Sequence, residues 1–164
     1  MPAPARISLK ARALQLLAQR EHSRSELRRK LMRHAVEACN AVAATGEEAS
    51  SAPGPCLDKL LDWLEAHRYL SEERFVESRV HARSPRFGNL RIQQELARHG
   101  VALDSTAATQ LQLTEFERAQ AVWRRKFGSP ATDAAQRAKQ MRFLAGRGFS
   151  GDVIRRVVRG GDGE

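Results

Sequence analysis

Apolar residues recur at helical spacing along almost the whole chain, and no segment alternates apolar and polar positions as a half-buried strand would. The pattern predicts an all-α fold of about nine helices. They cover residues 8–20, 24 into the thirties, 56–67, 72–82, 89–99, 104–113, 115–127, 134–146 and 151–159.

Nine helices in a chain this short invite a search for repeats. SELRRKLMRHA (25–35), LRIQQELARHG (90–100) and AKQMRFLAGRG (138–148) align. Leu27, Ile92 and Gln140 share one position, and Leu31, Leu96 and Leu144 another. His34, His99 and Arg147 follow, then Ala35, Gly100 and Gly148. Each aligned helix is the middle of a group of three. The chain therefore parses as three tandem three-helix repeats, 1–67, 68–114 and 115–164, the first carrying an insertion near 35–55.

The insertion has a local reason. Gly100 and Gly148, each followed by an apolar residue (Val101, Phe149), are placed to end their helices in a left-handed cap. Ala35 cannot do this cheaply, so the first middle helix is expected to run on through Val36, Ala38 and Val42. It would then give way to AVAATGEEASSAPGP, a Pro/Gly-rich linker whose stretch 46–51 is expected to be poorly ordered.

Charge sharpens the picture. The chain has a formal net charge of +9, which favours polyanionic partners. Residues 1–34 hold nine Lys or Arg against two Glu, whereas residues 35–77 hold three against nine Asp or Glu. HSRSELRRKL (22–31) shows the motif in miniature. Ser23 and Glu26 form a capping box, Leu27 and Leu31 a buried stripe, and Glu26 stands one turn before Lys30 as an exposed ion pair would. Arg29 and Arg33 project opposite Leu27. Such a basic helix could face a DNA groove, an acidic protein surface or water.

A sequence-reading helix-turn-helix is disfavoured, because the repeat-equivalent positions keep apolar character better than any base-reading set. The five histidines are scattered, and no HExxH, paired CxxC or GxxxxGK(S/T) element occurs. No enzyme, metal or cofactor is therefore expected. GRGFSG (146–151) follows a helix and reads as a cap rather than a phosphate cradle. Two cysteines, Cys39 and Cys56, make no disulfide framework, and no apolar run suggests a signal or a membrane span. A cytoplasmic protein is the expectation. Of the nine aromatics most fit core positions, with Phe87 in a Pro/Gly loop, and only WRRKFG (123–128) hints at a stacking surface for bases.

Four stretches carry a family resemblance: HSRSELRRKL (22–31), YLSEERFVES (69–78), FGNLRIQQELARHGV (87–101) and KFGSPATDAAQRAKQMRFLAGRGFSGDVIRRVV (126–158). In this order, and across most of the chain, the sequence resembles the RecX family, regulators of the RecA recombinase. The insertion at 35–55 departs from the family pattern. The resemblance implies a non-enzymatic modulator, mainly an inhibitor, that binds the RecA filament on DNA. It would restrain filament growth, ATPase, strand exchange and coprotease activities in recombination and SOS repair. It further implies that the repeats form an elongated, curved array, here expected to be monomeric. The residues expected to face RecA, or phosphates of single- or double-stranded DNA, are Arg28, Arg29, Lys30, Arg33, Arg91, Arg98, Arg142, Arg147, Arg155 and Arg156. A DNA-binding repeat protein acting without RecA is the alternative.

Overall fold

The computed structural model describes residues 7–44 and 52–159, and among these there are eight helices and no strand. The helices are α1 (Leu9–Gln19), α2 (Arg24–Ala44), α3 (Pro53–Ala66), α4 (Glu72–Arg83), α5 (Asn89–Arg98), α6 (Ser105–Lys126), α7 (Ala134–Gly146) and α8 (Gly151–Val158).

Local chemistry accounts for most of the starts. The Ser8 hydroxyl accepts the Ala11 N–H at 3.1 Å, and the Asp104 and Asp133 carboxylates accept those of Ala107 and Gln136 at 2.7 Å each. Pro53 opens α3, where its missing N–H costs nothing, three residues earlier than the apolar pattern alone suggested. Gly100 and Gly148 end α5 and α7 with φ of 73° and 82°. The N–H of Val101 reaches back to the Leu96 carbonyl and that of Phe149 to the Leu144 carbonyl, and both side chains are buried. After α3 the left-handed position is held by Arg68, at φ 60°.

α2 runs to Ala44, past a fully packed Ala35, as the absence of glycine there predicts. His34 therefore lies inside a helix and not near its end. It contacts Arg12 at 2.8 Å. The linker stretch 46–51 falls outside the described residues. The eight helices among the described residues agree with the about nine expected, and the difference lies at one place: the segments expected over 104–113 and 115–127 form a single helix, α6. No glycine or proline interrupts residues 105–126. Thr114 sends its hydroxyl back to the Gln110 carbonyl at 2.9 Å and so caps nothing.

The chain divides into two compact units, Met1–Phe75 and Val76–Glu164, the division falling inside α4. Unit 1 closes on Ala13, Leu27, Leu31, Leu57, Leu61, Leu64 and Leu70. Unit 2 closes on Ala119, Val122, Trp123, Leu144, Phe149 and the four apolar residues of α8. At the first two aligned positions all six residues, Leu27, Ile92, Gln140, Leu31, Leu96 and Leu144, are buried. Gln140, the one polar member, is satisfied by the Trp123 indole N–H at 2.9 Å and by the Ser129 carbonyl at 3.2 Å.

Candidate nucleic-acid and protein interface

In unit 1 the basic face of α2 is partly answered by the chain itself. Asp58, Asp62 and Glu65 share a face of α3 at helical spacing. Arg24 bonds to Asp62 at 2.7 Å and to Glu65 at 2.8 Å, while the Nε of Arg28 bonds to Asp58 at 2.8 Å. The sign reversal along the sequence thus becomes a pairing of neighbouring helices. These pairs face solvent, where an ion pair stabilises little; their effect is to hold Arg24 and Arg28 against α3.

The Ser23–Glu26 cap forms, with the Glu26 N–H donating to Ser23 Oγ at 3.2 Å. The Glu26 carboxylate, however, is buried and not the exposed partner of Lys30 that spacing suggested. Arg20 grips it with both guanidinium nitrogens, and Lys30 stands 3.5 Å away. Burial pushes this carboxyl up, but the Arg20 hydrogen bonds and charge, with His22 and Lys30, outweigh it and hold the pKa at about 2. His22 is also buried. Its Nδ1 donates to the Arg20 carbonyl at 2.9 Å, leaving Nε2 to accept from Lys30 at 3.0 Å. Burial lowers its pKa below the ordinary 6.5, against the pull of that carbonyl.

Both folded-state values are depressed, so each group contributes stability that is complete above its unfolded pKa and fades as pH falls towards the folded one. Melting temperature is expected to decline from pH 6.5 downward as His22 takes its proton, and to decline again below pH 4.5 as Glu26 follows. Melts across this range on the wild type and on Glu26→Gln test it; a variant that retains the lower step would contradict the assignment to Glu26.

Of the other expected contact residues on α2, Arg29 is exposed and makes no ion pair among the described residues. Arg33 is 81% exposed and reaches Glu37 only at 4.0 Å. These two are available to a partner. Arg28 and Lys30 are already engaged.

Unit 2 gathers its cations differently. Arg83, Arg91 and Arg147 place their guanidinium groups 5.6, 4.6 and 5.4 Å from the centre of the Phe87 ring. Arg147 also lies 5.2 Å from the Phe143 ring, with Lys126 at 6.0 Å from the same ring. Cation and ring thus alternate across the surface. Two clefts flank this ladder. One, of about 620 Å³, is lined by Arg83, Arg91, Arg98 and His99 together with Glu95, and Glu95 is held by Arg79 and Arg83 at 3.1 and 2.9 Å. The other, of about 130 Å³, is lined by Arg86, Arg125, Lys126 and Arg147 over Pro85, Val122 and Phe143, with no carboxylate in its wall.

The remaining expected residues lie apart from one another. Arg142 is exposed on α7 without an ion pair among the described residues. On α8, Arg155 is paired with Asp152 and Arg156 lies over Phe116 at 4.3 Å. Arg91 and Arg147 come together at Phe87, as their repeat-equivalent helices did not foretell. Arg83, Arg86, Arg125 and Lys126 were missed by repeat alignment because they lie on α4, its following loop and α6. WRRKFG held the signal for two of them.

Backbone and buried polar contacts fix this surface. Gly88 donates its N–H to the Arg147 carbonyl at 2.9 Å, and Leu90 to that of Gly148 at 3.1 Å. Neither α5 nor α8 has a side-chain cap from its own N-cap residue. The buried Glu115 of α6 serves both instead. Its Oε1 accepts from the Asn89 N–H at 3.1 Å and the Ser150 N–H at 3.2 Å, and its Oε2 from the Ser150 hydroxyl at 2.9 Å. One turn on, Arg118 donates to the carbonyls of Phe87 at 2.9 Å, Leu111 at 2.9 Å and Ser84 at 3.2 Å. Burial pushes its pKa down while Glu115 acts against the shift.

Among the described residues no group of three or more His, Cys, Asp or Glu side chains is placed to hold a metal, and no helix is long and apolar enough to cross a membrane.

Sequence models of the first, second and third three-helix domains of RecX match residues 10–42, 71–104 and 114–158. The chain is 48% identical to the regulatory protein RecX of Ralstonia nicotianae over 158 residues, 95% of this chain and 89% of the relative. It is 50% identical to that of Herbaspirillum seropedicae over 161 residues, 97% and 94% of the two chains. With that of Salmonella newport the identity is 35% over 162 residues, 95% and 93%.

Proposed function

Because the chain belongs to the RecX family of regulatory proteins, we propose that it is a modulator of RecA that binds the RecA–DNA filament and restrains its growth, ATPase, strand exchange and coprotease activities. The observation that carries this reading is the match of all three RecX domains, in order, between residues 10 and 158. The reading requires no bond-making step. Three repeats, 1–67, 68–114 and 115–164, would give the partner several contact points, each weak alone and strong together.

Of the ten basic residues expected at the interface, those without a carboxylate partner among the described residues are the ones assigned to it: Arg29, Arg91, Arg98, Arg142, Arg147 and Arg156. Arg33 joins them through its exposure. Arg28 is paired with Asp58 of α3, and Lys30 and Arg155 are paired within their own helices.

The test adds the protein to preformed RecA filaments on single-stranded DNA and follows ATP hydrolysis and filament length. Wild-type protein is expected to lower both. Charge reversal at Arg29, Arg98 and Arg142 together is expected to abolish the inhibition with helicity unchanged. Full inhibition by that variant would remove these residues from the interface, and an inert wild-type protein would overturn the function itself.

A further inference from the structure

We propose that the cation–ring ladder of unit 2 is a binding site for the phosphodiester backbone of single-stranded DNA, with phosphates on Arg86, Arg125, Lys126 and Arg147 and bases against Phe143 and Phe87. This deepens the reading above, resting on it only in that a filament bound by the protein presents such a strand.

Three observations carry the proposal. The smaller cleft is walled by four cations and no carboxylate, so its charge is not spent within the chain as that of Arg24 and Arg28 is. Arg147 is held between two aromatic rings, which orients its planar donor fork in advance, and such a fork matches phosphate oxygens. Finally, charge and ring alternate from Arg91 through Phe87, Arg147 and Phe143 to Lys126. That alternation has the chemistry of a strand whose phosphates and base faces are both accessible. An acidic protein surface would use the cations and leave the rings unused, and a duplex hides its base faces.

The ladder cannot slide apart, because its two halves are joined by the backbone bonds of Gly88 and Leu90 to Arg147 and Gly148. A strand would therefore meet a preformed surface.

The experiment measures anisotropy of a labelled oligodeoxythymidine with the full chain alone, across a salt series. Arg86→Ala/Arg125→Ala/Lys126→Ala is compared with wild type and with Lys59→Ala/Lys139→Ala, a control at two exposed lysines outside both the ladder and the assigned interface. The three substituted side chains are exposed, and a melt and circular dichroism spectrum verify that the variant folds. The triple variant is expected to bind at least about tenfold more weakly. Its slope of log affinity against log salt should be shallower by about 2, since each phosphate contact on a single strand contributes about 0.7. The Lys59→Ala/Lys139→Ala variant should match wild type. No binding by wild type at low salt, an unchanged slope in the triple variant, or displacement by polyglutamate as effective as by unlabelled oligonucleotide would each overturn the site. Loss of binding in the triple variant beside a wild type inert towards RecA would uphold the site and sink the proposed function. Inhibition of RecA by wild type with full DNA affinity in the triple variant would do the reverse.

Discussion

Glu115→Ala is expected to lower folding stability by about 3–5 kcal/mol, measured by denaturant unfolding of the full chain. The size follows from what the carboxylate does. It accepts three hydrogen bonds from the starts of α5 and α8, and each buried donor left without a partner costs about 1–3 kcal/mol. It also lies where the positive ends of two helix dipoles meet, and its charge opposes the cost of burying Arg118 nearby. Alanine removes all of this at once. Glu115→Gln keeps one oxygen for the two backbone N–H groups and an amide for the Ser150 hydroxyl, so it should cost about 1–2 kcal/mol. A loss below about 1 kcal/mol for the alanine variant would show that water or a neighbouring group can replace the carboxylate.

Gly88→Ala is the second large effect, and it comes from space rather than backbone angle. A methyl group at this position would lie 2.2 Å from the Gly148 oxygen and from the Phe149 nitrogen. Those atoms are backbone, so the two segments must separate and the bonds from Gly88 and Leu90 must stretch or break. A loss of about 3 kcal/mol is expected, at the upper end for overpacking. Gly100→Ala supplies the contrast. Its φ is 73° but nothing stands within 4 Å of the added methyl, so only the conformational cost of about 1–2 kcal/mol applies. Thermal melts that rank Gly100→Ala as equal to or worse than Gly88→Ala would refute the close-approach argument.

Where the fold could be read from the chain, a local rule was at work. Glycine at 100 and 148 and alanine at 35 differ in the cost of a left-handed cap, and that difference alone foretold two helix ends and one continuation. Leucine spacing foretold the buried stripe of α2, Leu27 and Leu31. The failures share another cause. Glu115 looked like the start of a helix because its partners, Asn89 and Ser150, lie 26 and 35 residues away. Gly88 looked like loop chemistry because its neighbour is 60 residues on. Glu26 looked like one half of an exposed pair, because nothing in its spacing to Lys30 reports that Arg20 and His22 fold over it. Repeat alignment found Arg91 and Arg147 but not the Phe87 ring that brings them together, since an aromatic side chain in a Pro/Gly loop has no period to betray its face.

The unbroken course of α6 sets a limit on how this chain can change. Two helices joined by a turn would absorb the loss or gain of a residue in the turn. A single helix transmits it: one residue inserted after Leu111 would rotate everything beyond it by about 100° and advance it by about 1.5 Å. Glu115, Ala119, Val122 and Trp123 would leave their inward-facing row together. Substitution can vary α6 one position at a time, but its length is fixed by phase.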